Sequence, residues 1–199
     1  MTANLLIALL GFAFVTSVTP GPNNMMLLAS GVNFGFRRTV PHMLGISVGH
    51  ALMVFLVGIG LAGIFTAWPP ALLILKGLSV AYMLWLAWKI AHSAAPGAGQ
   101  SAAAPMTALQ AAAFQWVNPK AWAMALGAVA AYVPEPSVRA YAVVALVFAG
   151  VNLPSVAVWA GAGQLVRRWL ARPGRLQIFN WTMAGLLVLS LWPVVTLEL

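Results

Sequence analysis

Two interruptions in apolar segments contain the side chains that are best suited to bind a solute. The first is the run Thr19-Pro20-Gly21-Pro22-Asn23-Asn24, in the middle of apolar residues 5–34. Two prolines and a glycine do not continue an α-helix, so backbone carbonyls and amides are released there. Pro22 suits the first position of a second half-helix, whose free N–H groups would attract an anion. The run predicts a broken helix with a binding function, and a simple proline kink is the alternative.

The tripeptide Asn118-Pro119-Lys120 is the second interruption, deep inside apolar residues 106–133. A lysine at the centre of a membrane span costs about 2.5–3.5 kcal/mol unless it faces a polar interior. We predict that Lys120 faces a cavity and meets a carboxylate, either that of a substrate or one created transiently. Asn23, Asn118 and Asn152 would supply neutral hydrogen bonds. The alternative is that this helix begins later and leaves Lys120 near the membrane surface.

His50 is the third candidate, because it is the deep side chain of the predicted spans that titrates near neutral pH. Both carboxylates, Glu135 and Glu198, lie outside those spans. An unperturbed histidine has a pKa of about 6.5, which suits a proton-coupling group. A neutral histidine hydrogen-bonded between helices is the alternative, and both interpretations stay open. His42 and His92 lie near predicted helix ends and need no special role.

The composition requires that these residues lie in a membrane protein. Of the 199 residues, 62% are hydrophobic and 6% are charged, whereas a soluble domain carries about 25% charged residues. A spanning helix needs about 20 apolar residues. Six apolar segments meet that need, at residues 5–34, 40–66, 71–90, 106–133, 140–165 and 177–197. They are too long for barrel strands and do not alternate, so we predict an all-α integral membrane protein of six helices.

Helix-breaking residues separate these predicted helices. Thr39 and Pro41 are expected to open the second helix, and Trp68-Pro69-Pro70 the third. Pro134-Glu135-Pro136-Ser137 separates the fourth from the fifth. A flexible, small-residue linker at 93–105 divides the single transporter domain, 1–199, into halves of about 1–92 and 106–199.

Three helices in each half make the two halves run in opposite directions, which is the inverted-repeat layout of many secondary transporters. The interruptions fall at corresponding places, which favours this layout. Helix one is broken by the run at 19–23 and helix four by Asn118-Pro119-Lys120. Helix two contains Gly49-His50, and helix five contains Asn152-Leu153-Pro154 near its middle.

The charge distribution predicts the orientation. The chain has 10 basic and 2 acidic residues, and most of the basic residues fall on one side of the six-helix arrangement: Arg37, Arg38, Lys89, Arg167, Arg168, Arg172 and Arg175. Lys76 and Arg139 fall on the other side. Basic residues favour the cytoplasm, so both termini are predicted to be periplasmic. The basic residues form no stripe, so no nucleic acid is expected as a partner. With no cysteine, metal-ligand cluster or nucleophile–base set, neither a cofactor nor an enzyme activity is expected.

These motifs resemble those of the LysE/RhtB amino-acid exporter family over essentially the whole chain. The matching pieces are Thr19-Pro20-Gly21-Pro22-Asn23, Gly35-Phe36-Arg37, Gly45-x-x-x-Gly49, Ala81-Tyr82-x-x-Trp85-Leu86-Ala87-Trp88 and Asn118-Pro119-Lys120. The resemblance implies efflux of amino acids across the bacterial inner membrane, driven by the proton gradient. Residues 87–91 and the arginine-rich fifth loop are most similar to the cysteine and O-acetylserine exporter branch. Some relatives carry an acidic residue just after the helix-two glycines, where this chain has His50.

We therefore expect a secondary transporter that exports small neutral amino acids such as cysteine, O-acetylserine, homoserine or threonine. The predicted substrate site consists of Thr19, Pro20, Gly21, Pro22, Asn23, Asn24, Asn118, Pro119, Lys120 and Asn152, with His50 as the proton-coupling candidate. A cationic substrate within the same family is one alternative, although no carboxylate lies in the predicted spans to pair with it. A membrane protein with a structural or assembly role is the other. The expected partners are an amino acid and the lipid bilayer, and the sequence leaves a homodimer open.

Overall fold

The computed structural model describes residues 1–93 and 104–192, and the regular structure in these ranges is helical. Nine α-helices occur there: α1 Ala3–Val18, α2 Pro22–Phe34, α3 Phe36–Leu56, α4 Gly63–Ala67, α5 Pro70–Ala91, α6 Ala108–Phe114, α7 Pro119–Tyr132, α8 Val138–Val166 and α9 Pro173–Leu189. A π-helical turn, Val57–Leu61, follows α3, and 3-10 turns lie at Gln115–Val117 and Trp169–Ala171. Most of the predicted linker 93–105, the end of the sixth predicted helix and Glu198 lie outside the described residues.

Three helical stretches in the described ranges are long and apolar enough to cross a membrane: Phe36–Leu61, Pro70–Ala91 and Val138–Val166. The pair α1 and α2 passes the same test as one broken span, bent by 54°. The all-α prediction is confirmed, with three or four candidate spans. The predicted fourth segment is divided into the shorter α6 and α7, so neither piece is long enough alone. The six-helix inverted-repeat arrangement therefore stays a prediction.

The break between α1 and α2 lies where the prolines and glycine predict it. Val18 is the last residue of α1, Thr19 has an extended backbone, and Pro22 occupies the first position of α2. Proline is favoured at that position because its missing N–H would have no helical acceptor. The carbonyls of Thr19 and Pro20 consequently point away from either helix and are free to accept other donors.

The second break separates α6 from α7. A capping box formed by Thr107 and Gln110 begins α6, and the helix tightens into the 3-10 turn before Asn118. The Asn118 side chain then accepts a hydrogen bond from the Lys120 backbone N–H, 3.2 Å away, and caps α7. The predicted interruption of helix four is thus present, with Pro119 at its first helical position.

Two sequence predictions about helix punctuation are wrong. The second helix begins at Phe36 and not at residue 40, because Gly35 turns the chain in one residue with φ of 85°. Thr39 and Pro41 consequently lie inside α3 rather than opening it. Pro154 lies inside α8, which continues through it without interruption. One proline removes one backbone hydrogen bond, which the surrounding helix tolerates.

Close helix contacts surround the two breaks. Helix α8 packs against α1, α2 and α3, while α6 packs on α3 and α9 on α5. A Cβ at Gly31 would overlap the Ala160 carbonyl oxygen on α8, and one at Gly163 would overlap the Leu28 carbonyl on α2. The glycines of the Gly45-x-x-x-Gly49 motif contact α6 in the same way. Small residues at these positions let helix backbones approach closely, which is how helices pack in membranes.

Candidate functional site

The two breaks meet at a small polar cavity. Its lining includes seven of the predicted functional residues: Gly21, Asn23, Asn24, His50, Asn118, Lys120 and Asn152. Helices α1, α2, α3, α7 and α8 and the turn before α7 all contribute to its wall. The cavity volume is about 20 Å³, which is room for about one water molecule. An amino acid needs much more space, so this conformation is closed around the site.

Lys120 reaches from the first turn of α7 to the break in helix one. Its Nζ donates hydrogen bonds to the Thr19 carbonyl at 2.8 Å, the Thr19 hydroxyl at 2.9 Å and the Pro20 carbonyl at 3.2 Å. An ammonium group has three protons, so each has an acceptor in this arrangement. The half-buried ammonium therefore stabilises the carbonyls that the break releases. An incoming carboxylate would have to exchange for one or more of these acceptors.

Asn23 on α2 is paired with Gln115 in the turn before α7. The Asn23 amide donates to Gln115 Oε1 at 2.8 Å, and the Gln115 amide donates back to Asn23 Oδ1 at 3.1 Å. Gln115 is fully buried and its Nε2 also donates to the Ala111 carbonyl. A second link thus joins the two breaks, parallel to that of Lys120.

Asn24 and Asn118 have local partners as well as cavity-facing positions. Asn24 Nδ2 donates to the carbonyls of Ser17 at 2.9 Å and Thr19 at 2.7 Å, which are released at the end of α1. Asn118 caps α7, as described above. The predicted prolines Pro20, Pro22 and Pro119 shape the breaks and are not among the cavity-lining residues described.

Asn152 connects three helices next to the cavity. Its Nδ2 donates to the Ser17 hydroxyl on α1 at 3.2 Å, and its Oδ1 accepts from the Ser47 hydroxyl on α3 at 3.0 Å. All three side chains are buried. Asn152 therefore orients polar groups of α1 and α3 from the centre of α8.

His50 is buried on α3 and faces the same cavity. Within the described part of the chain, neither of its ring nitrogens has a hydrogen-bond partner. Its ring packs edge-on against Phe148, with 5.1 Å between the ring centres. Of the two interpretations made from the sequence, a histidine hydrogen-bonded between helices is not what this structure contains.

Sequence reasoning missed Gln115, Ser17 and Ser47 as parts of this network. Gln115 had a detectable signal, because it is an amide in an apolar stretch and lies three residues before the Asn118-Pro119-Lys120 interruption. The two serines had none, since serine is common in membrane helices and bonds to its own helix. Their contribution follows from helix packing alone.

The site can bind an anionic group and several neutral polar groups. Its charged member is Lys120, and no carboxylate occurs among its described lining residues. No group of three His, Cys, Asp or Glu side chains suited to a metal ion occurs in the described ranges. The arrangement of two broken helices around a polar, closed cavity is typical of membrane transporters.

The chain belongs to the LysE type translocator family, whose model matches residues 14–191. It is 32% identical over 190 residues to the cysteine/O-acetylserine efflux protein of Klebsiella pneumoniae, covering 94% of this chain and 95% of that relative. It is 34% identical over 191 residues to the protein of the same name from Escherichia coli strain K12, covering 94% and 96%. No solved structure matches. The chain is therefore a multi-pass membrane transporter and not an enzyme.

Proposed function

We propose that this protein exports small neutral amino acids of the cysteine and O-acetylserine type across the bacterial inner membrane. The observation that carries the proposal is the Lys120 ammonium, held 2.8 Å from the Thr19 carbonyl at the break of helix one. A zwitterion brings a carboxylate to this cation, and its ammonium group brings donors for carbonyl and amide oxygens. The names of the two relatives supply the substrate class.

In this mechanism the substrate carboxylate replaces the Thr19 and Pro20 oxygens around Lys120. The released carbonyls then accept hydrogen bonds from the substrate ammonium, so the break and the lysine bind opposite ends of the same zwitterion. Asn23, Asn118 and Asn152 contribute neutral hydrogen bonds. The cavity of about 20 Å³ must widen for this exchange, and the 54° bend between α1 and α2 is the hinge at which we place the movement.

His50 is the proposed proton-coupling group. It lies buried in the cavity wall, and its two ring nitrogens have no partner among the described residues. A neutral imidazole carries one donor and one acceptor, so a proton can be taken up at the free nitrogen when the cavity opens. Glu135 lies between α7 and α8 in the break at 134–137, away from the cavity lining.

The proposed architecture is a single domain of six spans, as two inverted halves joined at 93–105, with both termini in the periplasm. Two features support it. Breaks occur in the first and fourth predicted helices, and the network joins them to each other through Lys120 and Gln115. The basic ends of the helices give the orientation through the excess of Lys and Arg.

Counterflow in proteoliposomes tests the function directly. Vesicles loaded with one unlabelled amino acid should accumulate labelled O-acetylserine, cysteine, threonine or homoserine, and should not accumulate lysine or arginine. Lys120→Met should abolish the exchange, whereas the matched change Lys76→Met on α5 should preserve it. Exchange of lysine or arginine would favour the cationic alternative within the family.

The remaining alternative is a structural or assembly role without transport. In the cysteine-free chain, a single cysteine at position 23 or 118 should react with a water-soluble thiol reagent from at least one side of the membrane. Absence of reaction at both positions, together with absence of counterflow for every amino acid, would support the structural role.

A further inference from the structure

A second, larger cavity lies between α2, α3, α5 and the beginning of α6. Its volume is about 550 Å³, within the range of about 300–1,000 Å³ that is usual for small-molecule sites. The wall combines apolar side chains, among them Met26, Leu86 and Ile90, with polar groups of Ser30, Asn33 and His42. None of these residues belongs to the polar cavity described above.

Two buried side chains of this cavity have polar atoms without partners in the described part of the chain. His42 is 2% exposed, and both of its ring nitrogens are unpaired. Asn33 is 7% exposed and its Oδ1 is unpaired. The Asn33 amide nitrogen donates to the carbonyl of Ala29 and to Oδ1 of Asn180, which fixes the orientation of its free oxygen. Buried polar groups are normally satisfied, so these atoms point to a ligand.

The large cavity lies on the path to the polar cavity. Asn33 is nine residues beyond Asn24 on α2, about 14 Å along the helix, and His42 is eight residues before His50 on α3, about 12 Å. Both displacements lead toward the α2–α3 junction at Gly35, which is the end that carries Arg37 and Arg38 and is predicted to be cytoplasmic.

Apolar side chains separate the two cavities. Met26 lies between Asn24 and Asn33 on α2, and Phe114 lies between Gln110 and Gln115 beside α6. Both belong to one buried cluster with Met83. A solute that leaves the large cavity must therefore displace this cluster before it reaches Lys120. Methionine is flexible and suits such a barrier.

We propose that the large cavity is an entry site that binds the zwitterionic head of the exported amino acid before it reaches the polar cavity. The substrate ammonium donates to Asn33 Oδ1, and an N–H of the His42 ring donates to the substrate carboxylate. Met26, Leu86 and Ile90 contact the substrate side chain. This inference rests on the proposed function, since it requires that an amino acid is the solute.

The test uses the full chain with Met106→Cys, which places one thiol in the wall of the large cavity of a cysteine-free protein. Lys120→Met is added so that the polar cavity cannot bind substrate. The purified protein reacts with a small water-soluble thiosulfonate in the presence or absence of O-acetyl-L-serine, which has no thiol of its own. We expect the saturating amino acid to slow the reaction at least threefold.

Asn33→Leu and His42→Phe keep the side-chain size but remove the polar atoms, and each should reduce this protection to less than 1.5-fold. His92→Gln is the matched control, because His92 lines the same cavity but is exposed and its Nδ1 contacts the Trp88 carbonyl. It should preserve the protection. Protection that survives both Asn33→Leu and His42→Phe, or is absent from the parent protein, would overturn the entry site.

A second measurement covers variants that do not fold. In protein with ¹⁵N-labelled histidine, O-acetyl-L-serine should shift the His42 imidazole signals in the Lys120→Met background, and an unchanged spectrum would also overturn the site. Counterflow by the unmodified chain separates the two proposals. Transport without protection or shift contradicts the entry site alone, whereas absence of transport contradicts the proposed function.

Discussion

Gly21→Ala should move the Lys120 side chain without straining the backbone. Gly21 has φ of 176°, an extended conformation that other residues adopt. A Cβ there would lie 2.7 Å from Lys120 Cδ and 3.1 Å from Nζ, whereas carbon atoms in ordinary contact are about 3.5–4.0 Å apart. The lysine must therefore withdraw by about 1 Å to restore ordinary contact.

That movement weakens the hydrogen bonds that hold the ammonium. The bonds to the Thr19 carbonyl and hydroxyl are 2.8 and 2.9 Å long, and a hydrogen bond is lost when the separation reaches about 3.6 Å. Side-chain hydrogen bonds inside membrane proteins contribute about 0.6 kcal/mol each, so the two together contribute about 1.2 kcal/mol. A loss of that size corresponds to a factor of about seven. We expect initial counterflow of O-acetylserine to fall about five- to tenfold.

The assay compares initial counterflow rates in proteoliposomes at equal protein content. Gly11→Ala and Gly127→Ala are matched controls, since a Cβ at Gly11 meets no atom within 4 Å and one at Gly127 meets Phe12 at 3.5 Å. Both should exchange at the rate of the unmodified protein, and all three variants should elute as it does. Wild-type exchange by Gly21→Ala would refute the idea that the position of the ammonium determines transport.

The other predictions concern Lys120, His50, helix packing and topology. Lys120→Arg should transport poorly in the same assay, because a planar fork does not replace a compact ammonium; wild-type rates would show that any cation suffices. His50→Asn should retain exchange but lose accumulation driven by a pH gradient, and His50→Asp should restore part of it; uphill transport by His50→Asn would make the histidine structural. Gly163→Leu should lower the thermal unfolding temperature, because its side chain would collide with the Leu28 carbonyl, while Gly161→Leu, with no atom within 4 Å of its Cβ, should not. A reporter fused after residue 199 should be active in the periplasm, and activity confined to the cytoplasm would contradict six spans.

Local chemistry explains why the sequence predicted both breaks. Proline lacks an N–H and clashes with the preceding turn wherever it occurs, so residues 19–23 and 118–120 carry their conformational effect in their own composition. The start of α3 was less predictable, because it depends on one torsion angle at Gly35. A single proline proved ambiguous, as Pro41 and Pro154 both lie inside continuous helices.

Partner choice within the site could not be read from the sequence. Asn23 and Gln115 are 92 residues apart, and Asn152 and Ser17 are 135 apart. Which polar groups meet depends on how closely the helices approach, and that depends on packing at glycines such as Gly31 and Gly163. His42 shows the same limit, because the sequence placed it near a helix end without a role, whereas the structure buries it in the wall of the large cavity.

The two broken helices are linked at their breaks in both directions, and this constrains how the proposed transporter can move. Lys120 carries hydrogen bonds from the α7 side to Thr19 and Pro20, while Asn23 and Gln115 exchange bonds between α2 and the turn before α7. Opening one break while the other stays still would break all of these contacts without replacement. A zwitterion offers both an acceptor for Lys120 and donors for the released carbonyls. Substrate would then lower the cost of separating the breaks, which couples binding to the conformational change that transport requires.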